Sequence, residues 1–233
     1  MKYANIYEFA ANGPKVHAFL QEFKKNVLDK YNIFTVGEAS SSTVEDALAF
    51  SKDIGLIFQF EHLCLDNFDF PYGQKDINLL ELKSVFQKWQ NGMFGKSWNT
   101  LLWENHDQPR VINRFKISEN HRENAAKMLC ASLYFMQGTP FIYQGQEIGM
   151  QNMDYTSIYD FKDIEINNMY KTMQKSKIVK ALMGKHLFET SRDNARTPMQ
   201  WDNSYYAGFS EVEPWLKVNS NKSFINVKDS LND

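Results

Sequence analysis

The stretch Trp98–Arg110, WNTLLWENHDQPR, places a short apolar run directly before a group of polar and charged side chains. The run Thr100–Trp103 is rich in residues that favour a β-strand. The side chains that follow it belong to Glu104, Asn105, His106, Asp107 and Arg110. Because parallel barrels present functional groups at the carboxyl ends of their strands, the stretch predicts a buried strand that leads into a site.

Three other segments repeat this arrangement of an apolar run followed by polar residues. The runs are Ile33–Gly37, Leu56–Phe60 and Phe141–Tyr143, and they lead to Glu38, to Glu61 and His62, and to Gln144–Glu147. A simple turn capped by His106 would explain the first stretch alone, but it would not explain the recurrence. The strand ends are therefore predicted to share one end of a sheet.

Amphipathic helices are predicted in the intervals, at Pro14–Tyr31, Ser42–Phe50, Asn78–Gln90 and Glu119–Met136. The second begins at a capping box of Ser42 and Glu45. Apolar faces are predicted at Val16, Phe19, Leu20, Phe23 and Val27 of the first helix, at Leu79, Leu82, Val85, Phe86 and Trp89 of the third, and at Ala125, Met128, Leu129, Ser132, Leu133 and Met136 of the fourth. Alternating helices and strands with right-handed connections predict a parallel sheet. The pattern becomes irregular after Gly149, with one helix expected around Asp163–Met183.

Composition gives no indication of a nucleic-acid-binding, metal-binding or membrane protein. The 233 residues are 43% hydrophobic with a net charge of −2, which supports a core and gives no reason to expect nucleic acid or an anionic membrane as a partner. Cys64 and Cys130 lack zinc-site spacing, so we expect neither a metal nor another cofactor. No apolar run suggests a signal peptide or a membrane span, and we predict a cytoplasmic protein.

Five motifs in order resemble the α-amylase family of glycoside hydrolases, and within it the oligo-1,6-glucosidase and dextran glucosidase branch. They are TVGEA at 35–39, FQFEH at 58–62, WENHDQPR at 103–110, GTPFIYQGQEIGM at 138–150 and RDNARTPMQWD at 192–202. The resemblance runs from about Asn12 to the end of the chain. It implies an α/β fold, the C-terminal half of a (β/α)8 TIM barrel truncated at both ends. Residues 1–150 would hold strands 5–8 of the barrel, and 151–233 the loop and helix region that follows strand 8.

The resemblance also implies roles for individual residues. Glu38 matches the general acid/base, and Asp107 matches the carboxylate that stabilises the oxocarbenium-like transition state. His106 matches a ligand of the glucose hydroxyls, and Arg192 matches a pocket arginine on the loop after the last strand. A carboxyl group among apolar neighbours retains its proton more readily, which suits Glu38 to the acid role.

Two further residues, Arg110 and Glu61, are candidates for substrate binding at the same end of the sheet. Structural salt bridges are an equally good interpretation of both. Glu104 departs from the family, which usually has Asn or Cys there, and it adds a charge near Asp107.

The family's nucleophile is an Asp in a G-F-R-x-D-x segment, and this sequence contains no such segment. We therefore expect the isolated chain to be inactive. A half barrel would also leave sheet edges and apolar surface uncovered, so the missing N-terminal half is a candidate partner.

The leading hypothesis is a fragment of a retaining exo-α-glucosidase that cleaves α-1,6 bonds of isomaltose-like oligosaccharides. Trehalose-6-phosphate hydrolase is an alternative, because Ser40–Thr43 and Leu82–Met93 resemble that enzyme, although FQFEH differs from its FNFHH pattern. A non-catalytic relative that serves in binding or assembly is a third hypothesis. The intact Glu38, His106 and Asp107 count against it.

Overall fold

Parallel strand pairs position the segments that carry the predicted site. A computed structural model describes residues 11–66, 75–174 and 187–231. The strands are β1 (Val36–Glu38), β2 (Leu56–Phe58), β3 (Thr100–Leu101) and β4 (Thr139–Pro140). β1 pairs in parallel with β2, and β3 pairs in parallel with β4, as predicted for these segments.

The α-helices that lie wholly within the described residues include α1 (Val16–Asn26), α2 (Val44–Phe50), α3 (Leu79–Met93), α4 (Val111–Arg114), α5 (Arg122–Tyr134), α6 (Ile164–Met173) and α7 (Val227–Ser230). Short 3-10 helices include Glu61–Cys64, Gln146–Ile148 and Arg192–Asn194. Within the described ranges, no helix has the length and apolar character needed to cross a membrane. The helix predicted around Asp163–Met183 is observed as α6, and its predicted end lies outside the described residues.

The described residues form two units. The first contains residues 11–65, 77–101 and 134–140, and therefore all the strands. The second contains the remaining described residues, including the segment that follows β3 and the segment that follows β4. This division follows contacts in space, whereas the predicted boundary at residue 150 divides the chain by sequence and stays a prediction.

In the first unit, the two strand pairs are joined by a side chain. Val36 lies opposite Leu56 and Glu38 opposite Phe58 in the pairing of β1 with β2. The Thr100 hydroxyl donates to the Ile57 carbonyl over 2.9 Å, which links β3 to β2. Leu56, Ile57 and Leu101 are buried, as expected for strands that are covered on both faces.

The last strand lies earlier in the chain than the predicted Phe141–Tyr143. Thr139 and Pro140 pair with Thr100 and Leu101, and the Thr139 amide donates to the Asn99 carbonyl over 2.9 Å. The Tyr143 amide donates instead to the side chain of Gln146. The predicted strand Phe141–Tyr143 is therefore wrong, because the observed strand ends at Pro140 and the backbone of Tyr143 already belongs to the following loop.

The capping box of α2 is also displaced from the prediction. Thr43, rather than Ser42, is the N-cap: its hydroxyl accepts from the Asp46 amide over 3.1 Å, and the Asp46 carboxylate accepts from the Thr43 amide over 2.9 Å. Ser42 and Glu45 have the same sequence spacing, so the pattern alone fits both pairs.

The apolar faces of α3 and α5 are confirmed in part. Leu82, Val85 and Trp89 are buried on α3, and Ala125, Leu129 and Leu133 are buried on α5. Two predicted members are mostly exposed, Leu79 at 67% in the first turn of α3 and Met128 at 51%. Ser132 of α5 is exposed as well.

The first helix has an apolar face that the described residues leave open. No residue of α1 is buried against them, and Phe19 and Phe23 are 64% and 49% exposed. Ile33 and Phe34, which precede β1, are exposed to a similar degree. The predicted inward face of the first helix is thus only partly covered by the described part of this chain.

The second unit is built around buried aromatic side chains. Trp103 is buried, and its indole Nε1 donates to the Leu129 carbonyl over 2.7 Å. A second cluster surrounds α6 and contains Tyr155, Ile158, Phe161, Ile166, Met173 and Leu187. Trp103 anchors the loop after β3, and the cluster around α6 anchors the region after residue 150.

The observed capping box predicts a difference between two neighbouring hydroxyl residues. Thr43→Ala removes an N-cap and should lower the free energy of unfolding by about 1 kcal/mol. Ser42→Ala, one position earlier, should change it by less than about 0.5 kcal/mol. Urea unfolding followed by circular dichroism measures both, and an equal loss in the two variants would contradict the observed cap.

Candidate active site

Asp107 lies at the centre of a cluster of charged side chains in the second unit. Its segment leaves β3 through buried Leu102, Trp103 and Glu104, and then turns. The Asn105 side chain accepts from the Asp107 amide over 2.8 Å, which makes Asn105 the residue that sets the turn. The Asp107 carboxylate is consequently presented at the surface, with its side chain 36% exposed.

Two arginines bind one oxygen of this carboxylate. Arg196 Nη2 lies 2.7 Å from Asp107 Oδ1, and Arg192 Nη1 lies 3.5 Å from the same oxygen. The other oxygen, Oδ2, lies 3.2 Å from His106 Nε2. The side chains of His106 and Asp107 are 59% and 36% exposed, so a polar ligand can reach this pair.

Arg196 belongs to this cluster, although the sequence motifs alone did not assign it to the site. Besides Asp107, it binds the backbone of the same segment, because its Nε donates to the His106 carbonyl over 2.8 Å. The signal that could have identified it is the spacing of Arg192 and Arg196 in RDNAR. The 3-10 helix Arg192–Asn194 occupies this interval, and both guanidinium groups reach the same carboxylate.

Arg192 has a second carboxylate partner, Asp163. Its Nε and Nη2 donate to Oδ2 and Oδ1 of Asp163 over 2.9 and 2.7 Å. These hydrogen bonds raise the pKa of Arg192 above its ordinary value and lower the pKa of Asp163 below its own. Both groups are therefore held in their charged forms.

Arg110 and Glu104 form an ion pair that is closed to solvent. The two side chains are 0% and 1% exposed, with 3.0 Å between Nη1 and Oε2. Arg110 also donates to the carbonyls of Gln144 and Ala195 over 2.7 and 3.3 Å, and Glu104 accepts from the Val111 amide over 2.8 Å. Burial raises the pKa of Glu104 above its ordinary value, because its effect is larger than that of the Arg110 charge, which lowers the pKa.

This ion pair explains the unusual residue at position 104 and the role of Arg110. The Arg110 guanidinium ties the loop after β3 to the loop after β4 and to Ala195, next to Arg196. These contacts hold the loops of the site together, and the Arg110 side chain is itself too buried to contact a ligand. Of the two interpretations of Arg110, the structure favours the structural salt bridge.

Glu61 and Glu38 lie in the first unit. The Glu61 carboxylate accepts from Lys88 Nζ over 2.6 Å and from Trp89 Nε1 over 2.8 Å, so it too is engaged in a structural ion pair with α3. Glu38 is the last residue of β1, at the carboxyl end of a parallel strand as predicted, but it is exposed, so the described residues do not give it the apolar surroundings that the sequence indicated. The Ala39 amide donates to the Phe58 carbonyl, which continues the pairing with β2 just beyond Glu38.

A pocket of about 420 Å³ adjoins Arg196 within the second unit. Its walls include Tyr143, Gln144, Glu147, Arg196 and three aromatic side chains, Trp201, Phe209 and Trp215, which are 49–60% exposed. Across the described ranges, no cluster of three or more His, Cys, Asp or Glu residues is placed to hold a metal ion.

Comparison with known proteins identifies the family. A model of the α-amylase catalytic domain matches residues 2–233. The chain belongs to the α-amylase family. This confirms the family that the five sequence motifs indicated.

Members of the oligo-1,6-glucosidase branch are among the similar proteins. The oligo-1,6-glucosidase of Parageobacillus thermoglucosidasius is 46% identical over 100% of this chain and 42% of its own length. The trehalose-6-phosphate hydrolase of Bacillus subtilis (strain 168) is 40% identical over 97% of this chain and 41% of its own length. The chain thus spans less than half the length of the curated relatives that it matches.

Solved structures show the same fold. The trehalose-6-phosphate hydrolase of Bacillus licheniformis superposes with a TM-score of 0.91 at 37% identity, over 100% of this chain and 43% of that one. The trehalulose synthase MutB of Pseudomonas mesoacidophila superposes with a TM-score of 0.89 at 32% identity, over 98% and 43% of the two chains. The chain therefore has the fold of part of an α-amylase catalytic domain.

The buried ion pair predicts a large loss of stability when one partner is neutralised. Glu104→Gln leaves the buried Arg110 without its counter-charge and should lower the free energy of unfolding by about 3 kcal/mol. The control is Glu119→Gln, because Glu119 is 52% exposed and lies 3.6 Å from Arg122. That variant should lose less than about 1 kcal/mol. Chemical unfolding measures both, and equal losses would show that burial of the pair has no special importance.

Proposed function

We propose that the chain carries the acid/base and part of the glucose site of a retaining exo-α-glucosidase that hydrolyses α-1,6 bonds of isomalto-oligosaccharides. The observation that carries the proposal is the arrangement around Asp107. Two arginines bind Oδ1, while Oδ2 and the exposed imidazole of His106 are left at the surface. A charged acceptor beside an imidazole suits the vicinal hydroxyls of a pyranose.

In this proposal Glu38 acts first as an acid and then as a base. It donates a proton to the glycosidic oxygen as the bond to the anomeric carbon breaks, and it later takes a proton from the water that attacks the same carbon. Asp107 and His106 bind sugar hydroxyls, and these hydrogen bonds strengthen as positive charge develops on the ring. Arg192 and Arg196 hold the Asp107 carboxylate in a fixed position for this task.

A retaining reaction also needs a carboxylate nucleophile, and we assign it to a segment outside this sequence. The sequence lacks the G-F-R-x-D-x segment of the family. Support comes from the relatives, of which the chain spans about 42%. We infer that the chain is the carboxyl-terminal half of the barrel and that an amino-terminal half completes the enzyme.

Exposed apolar surface supports this partner. In the first unit it consists of Phe19 and Phe23 on α1 and of Ile33 and Phe34 before β1. In the second unit it is the aromatic side of the pocket beside Arg196. The first surface directly precedes β1 in the chain, where a preceding strand of a closed barrel would pack.

Trehalose-6-phosphate hydrolase is a second candidate function. It is favoured by two relatives of that name at 40% identity and by the superposition on the Bacillus licheniformis enzyme. A phosphorylated substrate calls for additional cationic groups. Among the residues described around Asp107, the two arginines are already engaged by carboxylates, so such groups would have to come from elsewhere.

Reconstitution tests the assignment of Glu38. The chain is co-expressed with the amino-terminal part of the Parageobacillus thermoglucosidasius oligo-1,6-glucosidase, and hydrolysis of p-nitrophenyl α-glucoside is measured. We expect turnover, and we expect Glu38→Gln to lower it by about a hundredfold or more because proton transfer is lost. Glu45→Gln, an exposed carboxylate of α2, serves as the control and should leave turnover unchanged.

Undiminished activity of Glu38→Gln in an active complex would remove Glu38 as the acid/base. In the same complex, hydrolysis of isomaltose in preference to trehalose 6-phosphate is expected. The opposite preference would replace the leading function with the second candidate.

The open apolar surfaces predict that the chain alone binds a hydrophobic dye such as anilinonaphthalene sulfonate. Fluorescence of the dye should fall when the amino-terminal half is added, because the partner covers the same surface. Phe23→Gln should reduce the signal of the isolated chain. A monomeric chain that melts sharply and binds no dye would contradict the proposed partner.

A further inference from the structure

The guanidinium of Arg192 is held by Asp163 on one side and faces Asp107 on the other. Nε and Nη2 form a bidentate pair with the Asp163 carboxylate over 2.9 and 2.7 Å. Nη1 lies 3.5 Å from Asp107 Oδ1, at the long end of the range for a hydrogen bond. The short, paired bonds to Asp163 therefore set the orientation of Arg192, and its contact with Asp107 follows from it.

Asp163 is itself rigidly held. Its side chain is 2% exposed, and its Oδ1 also accepts from the Glu165 amide over 3.0 Å as the N-cap of α6. The amides of Lys162 and Asp163 donate to Oδ2 of buried Asp193 over 2.7 and 2.9 Å. Asp193 directly follows Arg192 in the chain. Arg192 thus binds the side chain of Asp163, and the carboxylate of Asp193 accepts hydrogen bonds from the backbone of the same segment.

We propose that Asp163 is a positioning residue of the glucose site, which directs Arg192 so that it supports Asp107 without covering the oxygen that binds the sugar. The proposal rests on the proposed function of Asp107 and adds a residue to it. Asp163 touches no substrate in this account and acts through Arg192 alone.

Neutralising Asp163 should release Arg192 toward other carboxylates. Glu165 Oε2 lies 3.9 Å from Nη2, and Asp107 lies on the opposite side. A guanidinium that moves closer to Asp107 would compete with a sugar hydroxyl for the carboxylate. Loss of the Asp163 charge should therefore weaken glucose binding without removing any group that touches glucose.

The test uses Asp163→Asn, because asparagine is as good an N-cap as aspartate and preserves α6. The matched control is Asp160→Asn, which neutralises another acid of the same loop, one whose partner is Lys217. Two readouts are taken on the 233-residue chain. The first is the 15N–1H resonance of the Arg192 Nε–H group, assigned by its loss in Arg192→Lys. The second is glucose affinity by calorimetry.

In the unmodified chain and in Asp160→Asn, we expect a sharp Arg192 resonance that is protected from exchange with water. In Asp163→Asn, we expect that protection to be lost and glucose affinity to fall by about tenfold, the scale of one hydrogen bond to a charged group. Retained protection of the Arg192 resonance in Asp163→Asn, or unchanged glucose affinity, would overturn the positioning role.

A further variant separates this proposal from the proposed function. His106→Ala removes a group that we assign to glucose binding directly, and it should lower glucose affinity while leaving the Arg192 resonance unchanged. Unchanged affinity in His106→Ala would reject the glucose site itself. The Arg192 resonance still decides the role of Asp163 in that case, because it needs no ligand.

Discussion

The contact between Asp107 and two arginines is the interaction on which the candidate site depends. Asp107 comes from the segment after β3, whereas Arg192 and Arg196 come from a region some ninety residues later. Because both arginines meet the same oxygen, the second oxygen contacts only the partly exposed His106 among the side chains of this cluster. A surface ion pair of this kind adds little to stability, so we attribute its role to fixing the position of the carboxylate.

A buried ion pair next to the site maintains the positions of the loops that carry it. Glu104 and Arg110 are taken out of water, which is costly, and the cost is offset by their mutual charge and by hydrogen bonds to backbone groups of three segments. On the far side, Asp193 and Asp163 fix the orientation of Arg192. The site is thus supported from two directions by carboxylates that a ligand does not reach.

Much of this arrangement could be predicted from the sequence. The strands follow from apolar runs that end in polar residues, and their parallel pairing follows from the helices predicted between them. The family motifs placed Asp107, His106 and Arg192 in one site. Local ambiguities caused the errors. Ser42 and Thr43 offer equivalent caps, and Gln146 takes the amide that a longer last strand would have used. The exposed face of α1 reflects packing that sequence periodicity cannot reveal.

Arg196 and Asp163 could not be placed in the site from the sequence, because their importance depends on contacts between distant segments. An arginine in an irregular region and an acid before a helix are common features, and neither indicates a partner. The most direct test of the account is a crystal structure of the chain soaked with glucose. We predict a sugar hydroxyl within hydrogen-bond distance of Asp107 Oδ2 and His106 Nε2, with Arg192 still bound to Asp163. Glucose bound elsewhere, with the Asp107 carboxylate covered by both arginines, would contradict it.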